Sequence, residues 1–411
     1  MSVTSTELQA PAPLTVPRKE PKVEKTQLTL FSQWLFDNQA SLSFKILVPF
    51  LLAHVYVPAA QPYTSRFFSL SYYNPRTDKY GAGPGDLCLV ATCIVLCIGI
   101  RAAIMQHVLE PLARYLGVTK DKDATRFAEQ SWMLVYYSAV WPSGVYLYYQ
   151  SPYFLNLGGL WAGWPHKEID GLMKVYITVQ WAYWMQQLIV VNIEARRKDY
   201  FEMMFHHVVT ITLIIASYAY HLTRVGHLIL VLMDVVDLIL PLAKCFKYLG
   251  CTTVCNALFG FFLCTWALTR HVLYLMVCWS FFYDLPRVVT VPCYKGTADE
   301  LRGPFLAPED RSYLLEPFYD PAGTVCLTNG ILTSFFTFLM GLELVICAWS
   351  FLILRVIARM LKGRAVEDVR SDDETEVGER EKQCGKAVGL KRAGRVGAVS
   401  TGATPRGRRN T

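Results

Sequence analysis

The chain has 411 residues, of which 53% are hydrophobic and only 18% are charged, and its formal net charge is +7. The apolar share is higher than in soluble proteins of this length and falls in blocks, which excludes an ordinary soluble enzyme and indicates an all-α polytopic membrane protein. The basic residues cluster at the ends of the apolar blocks, where they set topology and contact anionic lipids, so no nucleic-acid partner is expected.

Eight apolar blocks, each near the length of a transmembrane helix, lie between two polar tails. Residues 1–42 are Pro-rich and basic and are predicted to form a cytosolic tail that ends in an interfacial helix, without a cleavable signal peptide. The blocks lie near 43–60, 87–109, 127–149, 171–191, 203–220, 226–246, 256–283 and 328–354. The first block carries Lys45, Pro49 and His54, so the number of spans falls to seven if this block does not cross.

The last segment, 361–411, is polar and is predicted to be a disordered cytosolic tail. Within it, Ser371 is followed by three acidic residues, a setting typical of acid-directed kinase sites.

Orientation follows from the distribution of Lys and Arg, which favours the cytosolic side of membranes. If the N-terminus is cytosolic, that side also receives the basic residues at 114–126, 196–198, 244–247 and 355–364, so both termini are predicted to be cytosolic. The long loop at 284–327 then faces the opposite compartment. Cys293 and Cys326 are its only cysteines, and they can form a disulfide if that compartment is oxidising.

Four ionisable residues interrupt two consecutive apolar blocks: His206 and His207 in one, Asp234 and Asp237 in the next. Ionisable groups in hydrocarbon are costly and persist mostly where they line a cavity, pair with one another or do chemistry. A short link makes the two blocks an antiparallel hairpin. The helical rise places the imidazoles closer in depth to Asp237 than to Asp234, and helical periodicity puts His207 and Thr210 on one face with His206 about 100° away.

Acyl transfer is the chemistry that suits this set, because an imidazole can take a proton from a nucleophile or attack an activated acyl group, and a carboxylate can hold the imidazole. The three basic residues Arg196, Arg197 and Lys198 stand at the cytosolic entrance and could contact the phosphates of an acyl thioester, although a positive-inside anchor is the commoner role of such residues.

The residues alone also allow two other interpretations of these four ionisable groups. The four groups could form a proton or cation path in a transporter, or could serve packing only. Eight histidines with one adjacent pair are too few for a membrane di-iron enzyme, although a zinc site of two His and one Asp stays open. No metal and no cofactor is expected for acyl transfer.

The same residues carry a family resemblance. The segments RKDYFEMMFHHVVT (197–210), RVG (224–226) and MDVVDL (233–238) resemble the signature of the longevity-assurance ceramide synthases of the TLC-domain group. RFAEQSW (126–132) resembles the entry to that domain, and DVRSDDE (368–374) is similar to an acidic tail motif. The number of spans is more similar to the fungal members.

The resemblance implies a six-helix TLC-type catalytic domain at 123–360, preceded by two further transmembrane helices at 43–122. It implies N-acylation of a sphingoid base by a fatty acyl-CoA in the endoplasmic reticulum membrane. A homodimer or an accessory subunit is a further candidate partner, which the sequence itself does not identify. The expected catalytic residues are His206, His207, Asp234 and Asp237. The resemblance favours His206 as the reacting histidine. Thr210 and Arg224, in the matching segments, are expected to contact substrate. A non-catalytic, lipid-binding or translocon-associated TLC protein is the alternative within the group.

Overall fold

The computed structural model describes residues 31, 34–35, 37–193, 199–290 and 292–361. Several predicted features lie outside the described residues. They are the basic residues Arg196, Arg197 and Lys198, the phosphorylation candidate Ser371 and most of both predicted tails.

Eight long helices form within the described part of the chain, one over each predicted apolar block. They are α1 (Gln39–Tyr56), α2 (Asp86–Tyr115), α3 (Asp121–Tyr149), α4 (Gly171–Ile193), α5 (Tyr200–Ala219), α6 (Thr223–Tyr248), α7 (Thr252–Val288) and α8 (Asn329–Leu361). A π-helical segment interrupts α2 at Met105–Leu109, and another interrupts α7 at Ala267–Leu273. The protein is therefore an all-α polytopic membrane protein, as predicted.

Six of the eight helices are long and apolar enough to cross a membrane: α1, α2, α5, α6, α7 and α8. The other two, α3 and α4, have enough residues but are less apolar. In α4 the polarity belongs to the interior, because Lys174, Gln180 and Gln186 are fully buried. Since these polar groups are enclosed by protein, they do not meet lipid.

Two small antiparallel sheets cover one end of the helix bundle, which we call the sheet end. The first has the order β1 (Tyr73–Asn74), β2 (Lys79–Gly81) and β3 (Glu168–Ile169). In the second, β4 (Cys293–Lys295) is the central strand, between β5 (Arg302–Phe305) and β6 (Thr324–Cys326). A disulfide joins Cys293 to Cys326, which are direct partners across β4 and β6. The polar segment 284–327 is thus a folded element of the sheet end.

A buried ion pair ties α2 to the rest of the bundle. Lys174 Nζ of α4 lies 2.7 Å from Asp86 Oδ1 of α2, and the two side chains are 0% and 3% exposed. The ammonium also donates to the backbone carbonyls of Ser71 and Gly81, and Tyr218 of α5 donates to Asp86 Oδ2 at 2.7 Å. The two buried charges are therefore compensated by each other and by polar groups of the protein, which buried ions require.

Candidate active site

A long, mostly apolar cavity runs along the α5–α6 hairpin and is closed by α4, α7 and α8. The cavity volume is only about 70 Å³, so the cavity is narrow. His206 and Asp237 line it toward the end away from the sheets, and Ser217 and Thr223 line it beside the three-residue link of the hairpin. From His206 to Ser217 the helical rise gives a length of roughly 16 Å.

The two histidines point to different surroundings. His206 lines the cavity and packs against Trp184 of α4 and Trp349 of α8, with ring centroids 5.3 and 5.0 Å away. His207 is not part of the cavity wall, and its Nδ1 donates to the carbonyl of Met203 at 2.6 Å. The face of α5 that meets the cavity therefore contains His206, whereas helical periodicity had placed His207 on that face with Thr210.

The two aspartates also separate. Asp237 lines the cavity with His206, the pairing that the depth of the two blocks favoured. Asp234 is fully buried behind it, where Oδ2 accepts a hydrogen bond from Gln180 Nε2 of α4. Gln180 is itself held by Tyr136 and Tyr176. Asp234 is thus part of a polar cluster among α3, α4 and α6.

A buried arginine, Arg270 of α7, completes the polar end of the cavity. Its Nη2 lies 3.8 Å from Asp237 Oδ2 and donates to the carbonyl of Met233 at 2.7 Å. Sequence reasoning missed this residue, although an arginine inside the apolar block 256–283 satisfies the same criterion that selected the histidines and aspartates.

Several buried polar atoms around His206 have no hydrogen-bond partner among the described residues. They are His206 Nδ1, Thr210 Oγ1, Trp184 Nε1, Trp349 Nε1 and Arg270 Nε. An unsatisfied buried donor or acceptor costs about 1–3 kcal/mol, and folded proteins contain few of them. Their concentration at one end of an apolar cavity is typical of a site that receives a polar group attached to a long apolar chain.

Two further residues bound the cavity or its surroundings at the opposite end. His227 lines the cavity and has both ring nitrogens bonded, to Tyr153 Oη at 2.8 Å and to the carbonyl of Gly144 at 3.0 Å. Arg224, expected to contact substrate, lies at the sheet end, where it donates to the carbonyls of Gly159 and Ala162. The structure thus places Thr210 in the cavity wall and Arg224 outside it.

One group in the described ranges has the donor set and spacing for a metal ion: His271, Glu343 and Cys347, with ligand atoms within 4.8 Å of one another. These atoms already bond to protein, because His271 contacts Glu343 Oε1 at 3.0 Å and Ser350 Oγ at 2.7 Å. The predicted catalytic residues do not belong to this group.

Comparisons with known proteins identify the family of the chain. The family profile of the TLC domain (TRAM_LAG1_CLN8) matches residues 126–355. The chain is 47% identical to Ceramide Synthase FUM18 of Gibberella moniliformis over 79% of its own length and 76% of that protein. It is 34% identical to Sphingosine N-acyltransferase lag1 of Schizosaccharomyces pombe, over 78% and 75% of the two chains.

The chain belongs to the TLC-domain ceramide synthase family. A third relative, Ceramide synthase LAG1 of Saccharomyces cerevisiae, is 31% identical over 75% of this chain and 70% of that protein. The family resemblance seen in the sequence is thereby confirmed, and the matched domain includes both helices of the α5–α6 hairpin.

Proposed function

We propose that this protein is a ceramide synthase, which transfers a fatty acyl group from acyl-CoA to the amine of a sphingoid base and releases free CoA. The observation that carries the proposal is the cavity in which His206 and Asp237 lie together at the polar end of a long apolar channel. The curated relatives named above support it over the transporter and the non-catalytic TLC protein.

His206 is the proposed reacting imidazole. In one route the sphingoid ammonium first loses a proton to water, and His206 takes a second proton from the amine nitrogen as this attacks the acyl carbon. The C–N bond forms, the C–S bond breaks, and His206 passes its proton to the leaving sulfur. In the other route, His206 attacks first, CoA leaves, and the amine then displaces the imidazole from the acyl group. Asp237 stabilises the positive charge that develops on His206 in either route.

His207 and Asp234 act from behind the cavity wall in this proposal. The bond from His207 Nδ1 to Met203 fixes the start of α5, and the contact of Trp184 with both imidazoles, at 5.3 and 5.4 Å, couples their positions. Asp234 and Gln180 hold α6 against α4 beside the reacting groups. Thr210 Oγ1, one helical turn after His206, is available to a polar atom of the substrate.

The acyl chain is proposed to lie along the cavity from His206 toward the hairpin link, because that channel is long, narrow and apolar. The thioester and its anionic carrier then remain on the side from which α5 starts. Arg196, Arg197 and Lys198 precede that helix directly in the sequence and are proposed to contact the phosphates of CoA. The thioester is already activated, so the reaction as proposed needs no cofactor.

We assign the protein to the endoplasmic reticulum membrane with both termini in the cytosol. The basic residues at the helix ends away from the sheets support this orientation. The disulfide between Cys293 and Cys326 supports a lumenal sheet end, since disulfides persist in oxidising compartments. A second copy or an accessory subunit belongs to the same proposal.

Product analysis of the purified full-length protein tests the function. The protein is incubated with acyl-CoAs of graded length and, separately, with dihydrosphingosine or phytosphingosine, and the amide product is identified by mass. The proposal expects an N-acylated base whose formation requires both substrates. Substrate turnover without an amide, or no turnover with any pair, contradicts it.

Omission of the amine separates the two routes. After rapid mixing with acyl-CoA alone, intact-protein mass spectrometry should show one added acyl group if His206 attacks first. An unmodified mass in a protein that makes ceramide when amine is present favours direct attack by the amine.

A further inference from the structure

Arg270 is a charged residue placed where its burial is expensive. It lies in the π-helical segment Ala267–Leu273 of α7, is only 3% exposed and lines the same cavity as His206 and Asp237. A guanidinium in the interior of a membrane protein persists mostly where it pairs, conducts ions or does chemistry.

Pairing with Asp237 uses only part of the hydrogen-bonding capacity of the Arg270 guanidinium. The contact with Asp237 is 3.8 Å long, which is beyond hydrogen-bond distance, and Nη2 is used by the carbonyl of Met233. An arginine that serves only to neutralise a carboxylate typically makes short, paired hydrogen bonds to it. Arg270 instead keeps a buried Nε–H without a partner among the described residues. The Trp266 ring, 5.0 Å from the guanidinium carbon, supports it from another side.

The next residue shows how the arginine is held. His271 points away from the cavity and bonds Glu343 and Ser350 of α8, at 3.0 and 2.7 Å. Trp266 also donates to Ser350 Oγ at 2.9 Å. The π-helical turn is therefore fixed to α8 on its outer side while it presents Arg270 to the cavity, and such turns occur often at functional sites.

We propose that Arg270 is a catalytic residue that donates its Nε–H to the oxygen of the acyl carbonyl and stabilises the oxyanion formed during acyl transfer. The inference rests on the proposed function. When the nucleophile forms its bond to the acyl carbon, the π electrons of the carbonyl move to the oxygen, and that oxygen accepts the Arg270 hydrogen bond. When the carbonyl reforms, the C–S bond breaks, CoA sulfur leaves with the bond pair, and it receives the proton that the amine lost.

This assignment explains the loose contact between Arg270 and Asp237. A guanidinium locked to Asp237 would have less positive charge to offer a developing oxyanion. Hydrogen-bond donors that are already oriented in a water-poor site stabilise a developing negative charge on the substrate most strongly.

The test compares Arg270→Met, Arg270→Ala and Arg270→Lys with wild type in the full-length protein, with Arg355→Met as the matched control. Arg355 lies near the C-terminal end of α8, outside the cavity, where it packs on the Phe351 ring. Removal of one oxyanion donor is expected to lower kcat about 100-fold, with the KM for acyl-CoA changed by less than about threefold. Arg355→Met should keep wild-type kcat.

Chemical rescue separates chemistry from structure. Ethylguanidinium added to Arg270→Ala should restore at least about a tenth of the lost kcat, because it returns a donor of the same geometry to the space left by the side chain. It should restore nothing to His206→Ala. Arg270→Lys keeps a cation beside Asp237, so it should unfold at the wild-type temperature. It should still lose kcat, because an ammonium lacks the planar N–H donors of the guanidinium.

An Arg270→Met variant with wild-type kcat overturns this inference, as does a loss expressed only in KM. Absence of rescue in Arg270→Ala, together with full activity in Arg270→Lys, also overturns it, since a buried cation alone would then suffice. If wild type itself forms no amide from acyl-CoA and a sphingoid base, the proposed function fails instead.

Discussion

His206 and Asp237 line the same cavity, whereas His207 and Asp234, their partners in the sequence motif, hydrogen-bond outside it. Each pair in the motif therefore divides into one group that can meet substrate and one that supports the wall. This division predicts unequal effects for substitutions that a sequence motif alone would treat as equivalent.

The histidine pair provides the first test. His206→Gln should lower the rate of acyl transfer by about a thousandfold, because a base or nucleophile is lost, whereas His207→Gln should cost roughly tenfold. Both rates are measured as ceramide formed per folded protein. A larger loss in His207→Gln than in His206→Gln contradicts the assignment.

The aspartate pair can be tested with isosteric amides. Asp237→Asn should lower kcat by about a hundredfold, because it removes the negative charge that lies near Arg270 in the cavity of His206. Asp234→Asn keeps an oxygen that accepts from Gln180, so it should remain within about tenfold of wild type. An inactive but folded Asp234→Asn beside an active Asp237→Asn would show that the roles are reversed.

The ion pair between Lys174 and Asp86 predicts that the attachment of α2 depends on α4. Lys174→Met leaves the Asp86 carboxylate buried without its counter-ion, so it should lower the free energy of unfolding by about 3 kcal/mol. The double variant Asp86→Asn with Lys174→Met should lose less than the sum of the single effects. Thermal unfolding in detergent measures all three, and strictly additive losses argue against a coupled pair.

Lys167, in the loop before β3, predicts a dependence of stability on pH. Burial lowers the pKa of Lys167 to about 8 from the ordinary value of 10.5. Its ammonium makes long contacts, of 3.4 and 3.5 Å, to the carbonyls of Pro321 and Gly323. Between these two pKa values the unfolded chain binds more protons than the folded one, so this residue makes stability rise with pH.

Lys167→Met should remove that dependence. Relative to the variant, wild type should gain about 2 kcal/mol between pH 7 and pH 9.5. The comparison of the two unfolding temperatures at each pH isolates the contribution of this residue. Parallel curves for wild type and Lys167→Met would show that the lysine is not desolvated in the folded protein.

The helices could be predicted from the sequence because each apolar block approximates the thickness of a membrane, and all eight helices form where the blocks lie. The sheet end could not, since β4, β5 and β6 contain three or four residues each and depend on pairing over long separations. The histidines and aspartates were found because ionisable residues in hydrocarbon are conspicuous.

Which histidine meets the cavity could not be predicted, because helical periodicity fixes the angle between His206 and His207 but not the direction of the neighbouring helices. Arg270 could have been found from its own apolar block. Its pairing with Asp237 depends on how α7 packs against α6, which no local pattern encodes.

The acyl-transfer site at His206 is tested most directly by ceramide formation in purified wild type and His206→Ala, measured side by side by product mass from one acyl-CoA and one sphingoid base. We expect ceramide from wild type and only background product from a His206→Ala protein that unfolds at the wild-type temperature. Ceramide formation by His206→Ala at the wild-type rate would contradict this assignment.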